Sequence, residues 1–124
     1  MRKVKVQGDE LNGLGMALKQ IMDGTVQDPE VWRSIRKLKG SLVVRETGAD
    51  VAVTIFLDEG DVRIQSGAID RPSAYVEGGF EELADISSGQ VGPVMAVLTG
   101  KVRAGGNLFK LLKMAKVIII ASSA

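Results

Sequence analysis

The sequence predicts an α+β domain in which helices cover a five-stranded sheet. Two observations carry this prediction. Apolar residues first recur at helical spacing, and from Ser41 their period changes to two, which is typical of strands. Farther along, short strands alternate with short helices, a mixture typical of the α+β class. The 124 residues, 1–124, are assigned to a single domain, because this length supports one core and no linker or repeat interrupts the pattern.

Two helices are predicted before the sheet. The first carries an apolar stripe over Leu11–Met22, with Asp9 as its N-cap. The second begins cleanly, because Asp28 is a favourable N-cap and Pro29 suits the first helical position. Gly40 is predicted to end it. The basic segment before Asp9 is assigned no helix or strand.

Three strands follow as an antiparallel meander, and two later strands complete the sheet. Turns at Gly48 and Gly60 separate the meander strands, and both faces of the middle strand are largely apolar, as in a central strand. Pro72 marks either the start of the fourth strand or an edge position. The predicted strands span residues 41–47, 49–57, 61–67, 71–79 and 101–104.

Three helices are predicted in the C-terminal half. Phe80–Ile86 forms a short helix, and Pro93 opens a second one over Val94–Thr99. Asn107 caps a long last helix that follows two glycines. On that helix, at about 100° per residue, three lysines share one arc and the aliphatic side chains lie opposite.

Composition narrows the chemistry. The chain is 45% hydrophobic but only 4% aromatic, its net charge is +1, and it contains no cysteine and no histidine. Thiolate nucleophiles, Ser-His-Asp triads and histidine metal sites are therefore excluded. The longest apolar run, Val117–Ala121, is far shorter than the about 20 residues of a spanning helix, and no signal-peptide core is present. We expect a soluble cytoplasmic protein with no cofactor.

Polar features have competing interpretations. The pairs Gly78-Gly79 and Gly105-Gly106 follow strands, as phosphate loops do, but they match no phosphate-binding motif, which favours turns. The acidic cluster at residues 58–61 matches no Ca²⁺ loop and is typical of a strand turn. An enzyme would need a group such as Lys101 or Asp85, which no spacing pairs. We therefore predict no catalytic residues and no metal site.

Residues 78–116 (GGFEELADISSGQVGPVMAVLTGKVRAGGNLFKLLKMAK) resemble the C-terminal half of the sterol carrier protein type-two domain. The matching pieces are an aromatic-acidic short helix, a small-residue turn with proline, "GK" plus a strand, and "GN" plus an apolar helix. They occur here as Phe80–Ile86, Ser88–Pro93, Gly100–Ala104 and Gly106–Ala115. The chain departs from the family where residues 89–93 read GQVGP, since a lysine often precedes this proline. It also ends in Ser-Ser-Ala, so a peroxisomal SKL-type signal is not expected.

The resemblance implies a function. Domains of this family hold sterols, phospholipids or fatty acyl chains in an apolar tunnel between the sheet and the C-terminal helices, without covalent chemistry. We therefore predict non-catalytic binding and transfer of a lipid or other hydrophobic small molecule. The alternative is an accessory module of the same fold that holds a protein partner or presents a hydrophobic substrate to an enzyme. Nucleic acid is not a predicted partner, because aromatic residues are not interleaved with the basic ones.

The resemblance also places the ligand. The predicted lining consists of Phe80, Leu83, Ile86, Met95, Leu98, Leu108, Leu111, Leu112, Ala115 and Ile119, with Trp32 and Phe56 as additions from the opposite wall. Lys110, Lys113 and Lys116 are predicted to make transient contact with an anionic membrane. The turn Val117–Ile120 is apolar on all sides, so it is buried in the core, covered by a second copy in a homodimer, or dipped into lipid.

Overall fold

One mixed sheet forms the centre of the protein, in a computed structural model that describes residues 2–120. Its strands are β1 (Val4–Val6), β2 (Lys39–Glu46), β3 (Val51–Asp58), β4 (Asp61–Ser66), β5 (Ala74–Gly78) and β6 (Val102–Gly106). The helices are α1 (Gly13–Thr25), α2 (Pro29–Ile35), α3 (Phe80–Ser87), α4 (Pro93–Leu98) and α5 (Leu108–Met114), followed by a 3₁₀ turn over Ala115–Ile118. The strand order is β1-β4-β3-β2-β5-β6. The α+β class is confirmed.

The predicted meander is present, but the sheet has six strands rather than five. Strands β2, β3 and β4 pair antiparallel in sequence, β5 lies parallel to β2, and β6 is antiparallel to β5. The additional strand is β1, which pairs parallel to β4 with Val4 opposite Val62. Three residues in a basic segment carry no periodic signal of their own. Pairing with a strand almost 60 positions away is what orders them.

The edge position that Pro72 suggested is wrong. Strand β5 begins at Ala74 and lies between β2 and β6, so it is an interior strand. Pro72 belongs to the connection before it, residues 67–73, which crosses the sheet face opposite the helices. There the Thr54 hydroxyl donates to the carbonyl of Gly67 at 2.8 Å and accepts from the amide of Ile69 at 3.2 Å. These two bonds satisfy the polar group of a fully buried threonine.

The core lies between the other face of the sheet and the helices. Alternate residues of β3, namely Val53, Ile55 and Leu57, are buried among helix side chains such as Met22 and Met114. This alternation follows from the two-residue period of a strand. The intervening residues of β3, among them Phe56, therefore point to the face of the sheet that the helices do not cover.

Helix caps show where local signals were sufficient. The Asp28 carboxylate accepts from the amide of Glu30 at 2.8 Å, and the Asn107 side chain accepts from the amide of Lys110 at 3.1 Å, as predicted. The N-cap of α1 is Asn12 rather than Asp9, because Asn12 accepts from the amide of Gly15 at 2.8 Å. The second predicted helix also ends earlier than expected: α2 stops at Ile35, since Gly40 pairs within β2.

The last helix is shorter than expected. Helix α5 has seven residues and tightens into a 3₁₀ turn, after which the chain extends. Within the apolar final turn, Val117 and Ile118 are buried in the core, and the Thr25 hydroxyl donates to the carbonyl of Val117 at 2.6 Å. Ile120 is half exposed, and its amide donates to the carbonyl of Ser87 at 2.7 Å. The C-terminal tripeptide, on which the peroxisomal argument rested, lies outside the described residues.

Candidate functional site

A cavity of about 300 Å³ lies between the sheet and the helices. Its wall is aliphatic except for one serine and one proline. The strands contribute Val44, Val76, Val102 and Ala104; α1 contributes Leu14 and Leu18; α3 contributes Leu83, Ile86 and Ser87; α4 contributes Pro93, Val94, Val97 and Leu98; and the last helical segment contributes Leu108, Leu111, Leu112, Ala115 and Ile118. No charged side chain borders it among the residues that the structure describes.

The cavity exists because small side chains lie under short helices. Strands β5 and β6 present Val76, Val102 and Ala104 toward the helix layer, and none of these reaches far from the sheet. The helices above them, α3 and α4, have only eight and six residues. Protein cores otherwise contain few voids larger than a water molecule. An apolar cavity of this size offers water few hydrogen-bond partners, which favours an apolar occupant.

The mouth of the cavity lies between α4 and α5. Leu98 and Leu108 line the cavity and are also 74% and 55% exposed, so they border both the interior and the solvent. Leu112 has the same double position. Next to them, Phe109 is 84% exposed without lining the cavity. Exposed apolar side chains grouped in this way mark a site of interaction rather than ordinary surface.

Seven of the ten predicted lining residues border this cavity. They are Leu83, Ile86, Leu98, Leu108, Leu111, Leu112 and Ala115. Their contact with a ligand remains a prediction. They come together because the inward positions of three short helices converge over β5 and β6.

The other predicted lining residues lie elsewhere. Phe80 and Met95 are exposed and do not border the cavity, which α3 lines from Leu83 onward and α4 lines with Pro93, Val94, Val97 and Leu98. Ile119 follows the 3₁₀ turn and packs against the core from outside the cavity. The two additions also fall outside it. The ring of Trp32 stacks under the guanidinium of Arg2, 4.6 Å from the ring centroid, and Phe56 is on the other face of the sheet.

The opposite walls of the cavity were not among the predicted lining residues. Leu14 and Leu18 were part of the predicted stripe of α1, and their spacing of four residues was a usable signal. The floor residues Val44, Val76 and Ala104 had no such signal. They share a face only because β2, β5 and β6 pair side by side, although they are far apart in the sequence.

Comparison with models of known protein families identifies the family of this chain. The model of the SCP-2 sterol transfer family matches residues 18–118. The chain belongs to this family. The resemblance to the sterol carrier protein type-two domain is thereby confirmed, and membership supports lipid binding and transfer in general. No curated protein matches the sequence.

Solved structures share the SCP-2 fold. The sterol carrier protein domain 2 of Helicoverpa armigera is 24% identical, with 93% of this chain and 99% of that chain covered and a TM-score of 0.64. Palmitated SCP2L2 from Aedes aegypti is 23% identical, with coverages of 82% and 91% and a TM-score of 0.61. A ubiquinone synthesis protein, UbiJ-SCP2, is 14% identical, with coverages of 86% and 90% and a TM-score of 0.65. Within residues 2–120, no helix is long and apolar enough to cross a bilayer.

The three lysines predicted for membrane contact differ in their surroundings in this SCP-2 domain. The ammonium of Lys110 donates to the carbonyl of Lys39 at 2.8 Å, and that of Lys116 donates to the hydroxyl of Ser34 at 3.1 Å. The side chain of Lys110 therefore reaches the start of β2, and that of Lys116 reaches α2. Lys113 is exposed on the same helix. Their contact with a membrane remains a prediction.

Gly106 and the acidic turn at Asp61 make contacts that are typical of turns. A Cβ on Gly106 would lie 2.5 Å from the carbonyl oxygen of Ser73, and its φ of +85° favours glycine. In the acidic turn, the Asp61 carboxylate accepts from Arg63 at 2.6 Å and pairs with Lys5 at 3.4 Å. The Arg63 bond lowers the pKa of Asp61, against a smaller effect of burial. Within residues 2–120, no group of three acidic side chains could hold a metal ion.

Proposed function

We propose that this chain binds one lipid chain in the cavity and carries it between membranes without covalent chemistry. The observation that carries the proposal is the cavity itself, an aliphatic void with an apolar mouth and no charged side chain among its lining. Burial of a hydrocarbon chain there gains about 0.8 kcal/mol per CH₂ group removed from water. Release of the lipid is favourable where a membrane offers its hydrocarbon chain the same apolar environment. Such an activity fits the predicted cytoplasmic location.

The size of the cavity favours a fatty acyl chain over a sterol or a whole phospholipid. Its volume of about 300 Å³ is at the lower end of the about 300–1,000 Å³ that is usual for small-molecule sites. The palmitated neighbour from Aedes aegypti supports the same ligand class. A charged head group would remain at the mouth, because the wall offers a carboxylate or phosphate no compensating cation.

A cavity-filling variant tests this proposal. Ala104→Phe adds an aromatic ring to the cavity floor without removing any core side chain. We expect its affinity for a fluorescent fatty acid to fall at least about tenfold, since the ring occupies the volume that the chain needs. The matched control is Ala68→Phe, in the exposed connection on the other side of the sheet. Native mass spectrometry of the wild type should show a co-purified lipid.

Two results would contradict lipid binding in this cavity. If Ala104→Phe is folded by circular dichroism and binds the fatty acid as the wild type does, the ligand is not in this cavity. If the wild type neither carries a lipid nor takes one up from vesicles, the carrier function is wrong.

The accessory module is the second function, and the exposed apolar rim favours it. Phe109 and Met95 are exposed beside the mouth but do not line the cavity, so a ligand inside would not cover them. The similar protein named for ubiquinone synthesis is linked by that name to a hydrophobic molecule, which supports this alternative. A membrane and a second copy of the chain are the other two candidates for contact with this rim. A wild type that binds no lipid but retains a monodisperse complex with an enzyme would favour the module.

A further inference from the structure

Exposed apolar side chains are concentrated around the mouth of the cavity. Among residues 2–120, twelve large apolar side chains are exposed, and seven of them belong to α4 or α5. The apolar rim of the mouth comprises Met95 and Leu98 of α4 and Leu108, Phe109 and Leu112 of α5. Met95 and Phe109 do not line the cavity, so a bound lipid chain would leave them in water. The rim therefore fits a partner larger than the ligand.

The part of the chain that forms this rim is basic. Residues 86–124 contain five lysine or arginine residues and no aspartate or glutamate, whereas the preceding part contains eleven basic and fifteen acidic residues. Lys113 follows Phe109 by four residues and so lies on the same face of α5. Lys101 follows α4, where its amide donates to the carbonyl of Ala96 at 2.9 Å. Both lysines are exposed, one on each side of the mouth.

These charges favour an anionic bilayer over a second copy of the chain as the partner. In a symmetric dimer the same surface of both copies would meet, so the lysines of one rim would approach those of the other and repel them. A bilayer interface accepts the arrangement that the rim offers. Apolar side chains such as Phe109 enter the acyl region there, while lysines remain among the phosphates of the head groups.

Helix α3 limits the surface on one side. It contacts α4 and carries the acidic residues Glu81, Glu82 and Asp85, which an anionic head-group layer repels. Attraction to such a layer is therefore expected at Lys101 and Lys113, and the deepest contact at α5 and the end of α4.

We propose that the apolar rim docks on an anionic bilayer, with Leu98 and Phe109 inserted among the acyl chains and Lys101 and Lys113 on the phosphates. This inference rests on the proposed lipid-carrying function and adds the place and the orientation of the membrane contact. In this orientation the mouth opens into hydrocarbon. A lipid chain then passes between the bilayer and the cavity without crossing water.

Co-sedimentation with vesicles of equal parts phosphatidylcholine and phosphatidylglycerol tests the docking of the delipidated protein. Phe109→Gln is expected to weaken vesicle binding about tenfold, because it removes a large apolar side chain from the inserted surface. The matched control is Phe80→Gln, the same change at a 66% exposed position of α3, which should bind within about twofold of the wild type. Lys101→Gln combined with Lys113→Gln should weaken binding about tenfold at low salt and much less at high salt.

A tryptophan probe reports the orientation. Phe109→Trp should be quenched by phospholipids that carry bromine on their acyl chains. Met16→Trp, at an exposed position of α1, should be quenched no more than the wild type, whose single tryptophan is Trp32. Equal quenching of both variants would contradict the proposed orientation.

Two further results overturn the inference. If Phe109→Gln binds vesicles as the wild type does, or if Phe80→Gln loses binding to the same extent, the rim is not the docking surface. If the wild type is a dimer that Phe109→Gln dissociates, the rim is covered by a second copy of the chain.

Failure of the proposed function is recognised separately. Phe109, Lys101 and Lys113 do not line the cavity, so their variants should take up a fluorescent fatty acid from solution as the wild type does, which also shows that they are folded. A wild type that binds vesicles but no fatty acid refutes the carrier function and leaves the docking of the rim in place. A wild type that binds the fatty acid but no vesicles refutes the docking alone.

Discussion

The stabilities of two leucine-to-alanine variants test whether the cavity is empty in the folded protein. Leu42 is fully buried in β2 and does not border the cavity, whereas Leu111 in α5 is 8% exposed and lines it. Both belong to the same hydrophobic cluster. The same chemical change is therefore made at a close-packed position and at a position with empty space on one side.

The expected costs follow from the carbons removed and the void created. Each substitution removes three carbons, worth about 2.4 kcal/mol at about 0.8 kcal/mol per buried CH₂. Leu42→Ala also opens a new void, which brings its cost to about 4 kcal/mol. Leu111 already lacks packing partners on its cavity side, so its truncation adds little void energy. We expect Leu111→Ala to cost about 2 kcal/mol, half of the Leu42→Ala value.

Urea unfolding followed by circular dichroism measures both costs. The two variants and the wild type are compared without lipid, after delipidation, because a bound ligand would add its own stabilisation. The slope with urea should be the same for all three, so that the midpoints report stability alone. If Leu111→Ala costs as much as Leu42→Ala, the space beside Leu111 is filled in solution and the reasoning from the cavity is refuted.

Two further predictions concern the cap of α1 and the lysines of α5. Asn12→Ala should lower the free energy of unfolding by about 1–2 kcal/mol, since Asn12 caps α1 and also donates to the carbonyl of Ala52 at 2.9 Å. Asp9→Ala should change it by less than about 0.5 kcal/mol; equal effects in thermal melts would show that the cap lies elsewhere. Lys113→Glu should reduce co-sedimentation with anionic vesicles at low salt by more than Lys110→Glu, because the Lys110 ammonium is engaged with β2. Equal binding of both variants and the wild type would exclude contact of this helix with the membrane.

Much of the architecture could be predicted because its signals are local. The caps Asp28 and Asn107, the meander turns and the short helix at Phe80 each depend on a few neighbouring residues. The chemistry excluded by the lack of histidine and cysteine also needed no structure. The family resemblance came from four short pieces in a fixed order, and the family match over residues 18–118 confirms it.

The features that could not be predicted depend on residues distant in the sequence. Strand β1 forms only by pairing with β4, and Asn12 replaces Asp9 as the cap where its amide meets Ala52 of β3. Pro72 indicated either a strand start or an edge position; it lies just before β5, and the connection that contains it delivers this strand to the interior of the sheet. In each case a contact between residues distant in the sequence decided the outcome.

The features of the cavity likewise fall into those that the sequence predicts and those that depend on the fold. The sequence alone determined that α3, α4 and α5 would turn aliphatic faces toward a sheet, because helical spacing is a property of neighbouring residues. Only the tertiary structure decided that these faces stand apart over Val76 and Ala104. Periodicity indicates which side of a helix is buried. The space left between two buried faces depends on the lengths of all the side chains that meet there, and those side chains meet only in the folded chain.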